Sequence, residues 1–326
     1  MLQTSIKKRV IGVNISLYTT TYAIVDIRGN IIAQDSFPTQ DHPSINEFIT
    51  FLSYRLMQII EANGGYETIR SVGVGVLSGN FVKGCIEHSP CLPWKGEIPL
   101  ATLLRDRLGL AVAVGNNAHV RALGEHVFGR AHGMSNFVVI TLGPGLGSCT
   151  FTNGRPHLGH DGFAGEVGHM CINPNGRKCG CGSLGCLEAY CAENGIMLTA
   201  KKLMEQSNKP SLMRDCPDLT PKKIQDFCEQ GDEMAIDVYR RTGEILGFGM
   251  SFYASIVNPE AFIFTGGISL AGHWLFDPAR KVFEENVFHN LRGRVKFLMS
   301  TLTDIERNVL GASALAWEVS EYSLFK

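Results

Sequence analysis

Charge of either sign is scarce in this chain: only 19% of residues are Asp, Glu, Lys or Arg, and the formal net charge is -1. So even a balance leaves no overall electrostatic footprint for nucleic acid, although a basic face can sit inside a balanced total. Long apolar runs are missing too. Nothing approaches the ~20 apolar residues of a membrane-crossing helix. The segment 1–9 has Lys7 and Lys8 but neither the apolar stretch nor the small-residue cleavage site of a secretory signal. These absences give a cytoplasmic expectation with no membrane partner. Low-complexity tracts are also absent. Glycine, by contrast, is abundant, at 36 of 326 residues, beside 44% hydrophobic residues. That is an ordinary globular profile with many turns, long enough for two domains or one large one.

The chain reads as α/β. Val10–Ile15 and Thr21–Val25 are β-branched runs, and Arg28-Gly29-Asn30 turns the chain into Ile31–Ala33. Ser44 opens a helix, with Glu47 completing a capping box and Ile45, Phe48, Ile49, Leu52, Leu56 and Ile60 on one face. Gly64-Gly65 ends it. Val72–Val76 is an all-apolar strand of the buried parallel kind. A second meander opens at Phe137–Leu142, passes through Gly143-Pro144-Gly145-Leu146-Gly147 into Ser148–Thr152, and turns at Asn153-Gly154. Two meanders, one opening each half, suggest two related domains. Further on, 206–219 reads as a polar surface loop, and Thr220-Pro221 starts a helical stretch to about Val257. Ala261–Thr265 is a strand ending in Gly266-Gly267, and Asn308 to Glu321 is a helix.

The ten cysteines divide unevenly. Cys85, Cys91, Cys149, Cys171, Cys191, Cys216 and Cys228 are scattered and read as buried free thiols. Cys179, Cys181 and Cys186 are clustered, and His169 lies ten residues before the first of them. One imidazole and three thiolates make a closed, tetrahedral, structural zinc set. Glycines at 180, 182 and 185 let the backbone turn tightly enough for the thiolates to converge. The alternative is a set of reduced thiols in a glycine-rich loop.

The run His160-Asp-Gly-Phe-Ala-Gly-Glu166-Val-Gly-His169, the cysteines, and Gly185-Cys186-Leu187-Glu188-Ala189 closely resemble the signature of the ROK family (repressors, open reading frames and sugar kinases). Weaker similarity runs from residue 10 to about 316. The resemblance implies a two-domain, actin-like ATPase fold of the sugar kinase type, with a sugar in the cleft. The expected division is 1–118 plus 305–326 for the small domain and 119–304 for the large one. It also implies that Glu166, His169 and Glu188 meet sugar hydroxyls, with His169 holding zinc through its other ring nitrogen. Gly79, Asn116 and Asn117 are the remaining expected sugar contacts. At two positions this chain departs from the family's sugar-site pattern: Leu77 stands for Pro, and Cys91 for Asn. Trp94 reads as a packed side chain.

Departures also gather at the phosphotransfer parts. The family's general base is the Asp of an Asn-Asp pair; here the pair is Asn116-Asn117, and a carboxamide cannot take the proton. His119, two residues on, does not face the same way along a helix. Asn14 stands where the first phosphate loop carries Asp, and Ser16 and Leu17 add bulk where glycine is expected. Asn14 and Thr19 are the candidate nucleotide contacts that remain there. The second loop keeps Gly143, Gly145 and Gly147, with Pro144 removing one N–H. Gly266-Gly267 matches the adenosine side. The expectation is a sugar-binding protein with impaired phosphotransfer, in a sensor or accessory role, with structural zinc and a degraded site for ATP and Mg2+. The alternative is an active hexokinase or glucokinase forming a sugar 6-phosphate. Family repressors carry a winged helix ahead of the first strand; here about nine residues precede it, so direct DNA binding is not expected. Relatives are often dimers, which implies a homodimer.

Overall fold

A computed structural model describes residues 7–89 and 92–319. Cys91 therefore lies outside the described residues, as do the last two positions of the helix expected from Asn308 to Glu321. The chain divides into two units, Met1–Gly133 with Leu158–Gly162 and Thr301–Lys326, and Met134–His157 with Phe163–Ser300. The division falls at 133, where 118 was expected from sequence.

The first unit is built on β1 (Arg9–Ile15), β2 (Thr19–Asp26), β3 (Ile31–Pro38), α1 (Ile45–Ala62) and β4 (Ile69–Val76). A small three-stranded sheet follows, from β5 (Gly79–Asn80), β6 (Cys85–Glu87) and β7 (Glu97–Ile98). Then come α2 (Leu100–Leu108), β8 (Ala111–Asn116) and α3 (Asn117–Phe128). The main sheet has the order β3-β2-β1-β4-β8. Its first three strands are antiparallel neighbours, and β4 and β8 join in parallel. One core cluster gathers Ile11, Val13, Phe48, Leu52, Val72 and Val74, among others. The helix Asp304–Glu318 packs at backbone distance on the sheet: a Cβ at Gly12 would lie 2.2 Å from Val309 O, and one at Gly73 2.0 Å from Ala312 O. α3 packs on the same helix, with a Cβ at Gly311 reaching 2.0 Å from Val120 O. That packing keeps all of α3 in the first unit.

Cap chemistry differs from expectation at α1. Ser44 has extended backbone at the N-cap, yet its side chain makes no capping bond. The capping box forms instead at the last helix, where Thr303 and Glu306 exchange bonds, so the helix starts at 304 rather than 308. Trp94 is buried, donates its indole N–H to His42 O at 3.1 Å, and packs on Phe48.

The second unit repeats the ladder. Its strands are β9 (Phe137–Leu142), β10 (Leu146–Thr152), β11 (Arg155–Pro156), β12 (Ala261–Thr265) and β13 (Lys296–Met299), in the order β11-β10-β9-β12-β13. Asn153 and Gly154 both have positive φ, 53° and 75°, the geometry of a two-residue hairpin turn. Helices α4 (Glu188–Cys191), α5 (Glu193–Gln206), α6 (Pro221–Glu229) and α7 (Glu233–Val257) intervene before β12, and α8 (His273–Asn286) follows it. Thr220 caps α6 through Lys223 N, with Pro221 in the first turn. The irregular stretch 207–219 is more anchored than its polarity suggests: Met213 is buried in the core, and Asp232 accepts from Ser211 Oγ and Leu212 N. No helix among the described residues is long and apolar enough to cross a membrane.

Candidate functional site

The densest chemistry in the second unit lies in the turn that carries Glu166 and His169 and in the cysteine loop. Ser148 on β10 donates to Gly165 O and accepts from Val167 N, so the strand holds the turn from below. A short 3-10 turn, Val167–His169, then presents His169. Across from it, Gly185 N donates to Arg177 O and Cys179 N to Ser183 O, folding the loop on itself. The Arg177 guanidinium donates to Ala189 O, Gly195 O and Thr199 Oγ1 and lies 4.7 Å over the Tyr190 ring, tying the loop to α5.

His169, Cys179, Cys181 and Cys186 bring their ligand atoms within 4.8 Å of one another, a cluster that can hold a metal ion. The imidazole faces it through Nδ1, 3.8 Å from Cys179 Sγ, while Cys181 and Cys186 approach to 3.7 Å. This leaves Nε2 as the nitrogen available elsewhere. Burial pushes the Cys179 and Cys186 thiols up, whereas bonds from Ser183 pull the exposed Cys181 thiol down. A bound divalent cation removes that conflict by favouring all three thiolates. Of the three glycines expected to shape the loop, Gly182 and Gly185 have positive φ, 95° and 71°. A Cβ at Gly185 would also lie 1.7 Å from Asn173 O. Gly180 has open space around it, so the fold does not require glycine there.

Glu188, at the start of α4, is partly buried and works between two loops. Its Oε2 accepts from Leu146 N at 2.8 Å, and Oε1 lies 3.8 Å from Cys179 Sγ. Gly145 makes room for it, since a Cβ there would lie 2.9 Å from Oε2. Glu166 is exposed as a residue, yet burial of its carboxyl end raises its pKa; His169 pulls the other way and Glu188 adds to the rise. Glu166, His169, Glu188 and the cysteines thus form one neighbourhood.

The glycine loops stand at strand ends. Residues 143–145 close the β9–β10 hairpin, Gly143 N donating to Gly145 O, and Gly147 lies in β10 opposite Thr141. Gly266 has φ 94° and backs onto Leu142 O, where a Cβ would sit at 2.2 Å, whereas Gly267 is open. Two hydroxyls that sequence reasoning missed lie just before these loops. Thr141 and Thr265 are paired across β9 and β12, and each Oγ1 is buried without a hydrogen-bond partner. Only the strand register identifies them.

In the first unit, Asn116 is the N-cap of α3, accepting from Ala118 N at 2.9 Å. Asn117 is buried: Nδ2 lies 3.4 Å from Ile15 O, and Oδ1 has no partner. His119 is also buried, and its pKa falls to about 4 through burial alone. Asn14 is buried on β1 between Thr21 and Gly75. The turn after β1 is self-closed, because Ser16 N and Oγ donate to Thr19 O and Thr19 N donates to Ser16 Oγ. Gly79 sits where a Cβ would lie 2.4 Å from Gly115 O. Two thiols expected to be buried are not: Cys171 is exposed and Cys216 half-buried. Being in isolated, non-periodic segments, neither had a pattern from which burial could be read.

The sequence model of the ROK family matches residues 10–319. The glucokinase of Streptomyces coelicolor (strain ATCC BAA-471 / A3(2) / M145) is 31% identical over 315 residues, 94% of this chain and 97% of that protein. Among solved structures, a ROK family glucokinase from Streptomyces griseus in complex with glucose and AMPPNP is 28% identical, with a TM-score of 0.77 over 95% of this chain and all (100%) of that one. A ROK family transcriptional regulator, homolog of the E. coli MLC protein, gives a TM-score of 0.84 at 22% identity over 95% of this chain and 79% of that chain. The last likeness is one of fold.

Proposed function

The chain belongs to the ROK family, and from that premise we propose that it binds a hexose or N-acetylhexosamine while transferring phosphate poorly, as a sensor or accessory protein. In this reading Glu166, Glu188 and His169 Nε2 meet sugar hydroxyls, because carboxylates accept from hydroxyl pairs and a metal-held imidazole is fixed in tautomer and orientation. The metal is zinc in a structural role: three thiolates and one imidazole fill a tetrahedral shell and leave no open position for a substrate. The repeated strand order supports an actin-like ATPase reading of both units.

The observation that carries the impaired reading is the buried amide of Asn117 at the head of α3, where a proton-accepting carboxylate is needed. The first loop supports it, because the N–H groups of Ser16 and Thr19 are already taken within the turn. A second reading, an active glucokinase, is favoured by 31% identity to one over nearly the whole chain. The unpartnered Thr141 and Thr265 hydroxyls beside the retained glycine loops suit a nucleotide in either reading.

A coupled ADP-release assay over a hexose panel, on the unmodified protein and Asn117→Asp, separates the two. The impaired reading expects little turnover, and a gain of roughly 10²–10⁴ in the variant if the missing base is the main defect. Ordinary turnover by the unmodified protein overturns it. No gain in the variant moves the main defect to the first loop. Sugar binding itself is read by thermal shift without ATP; a flat response to every hexose counts against it.

A further inference from the structure

Cys171 lies outside the four-ligand cluster, yet it faces one of its members. It forms an isolated antiparallel bridge with Cys186. The bonds flanking that bridge run from Ile172 N to Gly185 O, 2.9 Å, and from Leu187 N to Met170 O, 3.0 Å. Cys171 and Cys186 exchange no backbone bond themselves, which makes them a non-hydrogen-bonded pair. Such pairs bring their Cα atoms to about 4.5 Å, with both side chains on one face. Disulfides span Cα separations of about 4.4–6.8 Å, so this pair falls inside the allowed range. The register is stiff, because Gly185 is seated against Asn173 O where no side chain fits.

We propose that Cys171 and Cys186 are an oxidation site, at which hydrogen peroxide closes a cross-strand disulfide and withdraws Cys186 from the metal. The consequence for the metal rests on the zinc reading above; the pairing rests on the register alone. Cys171 is exposed, whereas Cys186 is buried. With an ion held by His169, Cys179, Cys181 and Cys186, Cys171 is the neighbouring thiol whose sulfur lone pairs stay uncommitted. Its thiolate attacks one peroxide oxygen: an S–O bond forms, the O–O bond breaks, and the departing hydroxide takes up a proton as water. The Cys186 thiolate then attacks the Cys171 sulfenic sulfur, and would no longer be available to hold an ion. The S–S bond forms and hydroxide leaves, again protonated to water. Two sulfurs lose two electrons to one peroxide, and His169, Cys179 and Cys181 alone would remain to hold an ion.

The test treats the zinc-loaded full chain, unmodified and as Cys171→Ser, with hydrogen peroxide. Metal release is followed with a chromophoric chelator, and the crosslink is located by non-reducing peptide mass spectrometry. We expect a Cys171–Cys186 link in the unmodified protein, zinc loss at least about tenfold slower in the variant, and recovery of binding on reduction with added zinc. A Cys181–Cys186 link in the loaded protein overturns the proposal, since those sulfurs also approach to 3.7 Å. Equal zinc loss from Cys171→Ser does the same. If the chain takes up no zinc, the metal reading fails separately; the peroxide-treated chain then decides the pairing by whether the Cys171–Cys186 link appears.

Discussion

The two units share one ladder and differ in what is hung on it. Each has three antiparallel strands followed by two parallel ones, in the same spatial order. In the first unit the third strand runs the full Ile31–Pro38 and a single α-helix, Ile45–Ala62, leads to the fourth. In the second, the third strand is only Arg155–Pro156, and the cysteine loop with α4 to α7 fills the interval before β12. A ladder of backbone bonds tolerates such an insertion because it is made at a strand end, where no interior bond is broken. In the second unit the residues able to hold a metal ion thus lie in a long connection. The first unit has its own long connection between β4 and β8, which carries the small sheet and α2, and buried Asn14 and Asn117 stand near its strand ends.

With zinc held by the cysteine loop as proposed, its removal should strike the second unit hardest. A strong chelator, or Cys179→Ser, should abolish bound zinc and lower stability by several kcal/mol, on the order of 4. Metal analysis with thermal denaturation checks it, and unchanged melting would mean the loop is not held by an ion. Close packing should matter equally in both units. Gly73→Ala drives a Cβ to 2.0 Å from Ala312 O in the first, and Gly247→Ala to 2.0 Å from Ala279 O in the second. Each should cost about 3 kcal/mol or more in chemical denaturation, and a mild effect at one site alone would break the symmetry.

In the first unit, the acid response should depend on His119. His119 is buried, and burial lowers its pKa from 6.5 to about 4. Below 6.5 the unfolded chain binds a proton that the folded chain refuses, so stability is whole above that pH and declines as pH falls towards 4. The span corresponds to roughly 3 kcal/mol. Denaturation midpoints between pH 7 and 4.5, compared with His119→Gln, should show a flatter profile in the variant. The smallest effects concern caps. Asn116→Ala loses a bond to Ala118 N and should cost about 1 kcal/mol, whereas Ser44→Ala, whose side chain caps nothing, should stay within about 0.5 kcal/mol.

Ser44 also marks where sequence stops being informative. Its residue type, spacing and backbone all suit a capping box, but the hydroxyl is not used. Ala261–Thr265 was legible to the residue because an apolar run ends in two glycines. The four residues able to hold a metal ion were legible because ligand chemistry and spacing are both in the chain. The choice of Nδ1 on His169 was not, since it depends on how the turn above Ser148 aims the ring. The sheet of β5, β6 and β7 escaped because strands of two or three residues carry no periodicity. Cys171 escaped for a related reason: its partner is set by register, and register is a property of two segments.

The outer strand of the first unit invites one more consequence. β3 ends its sheet, and Ile32 on it is 41% exposed. The outer edge of a sheet is an open template for another chain's strand. This one is guarded: Asp35 sits mid-strand, held ionised by the Ser36 amide and by Arg55, and Pro38 closes the end. The Asp35–Arg55 pair sets charged groups at the rim, which an added strand would have to desolvate.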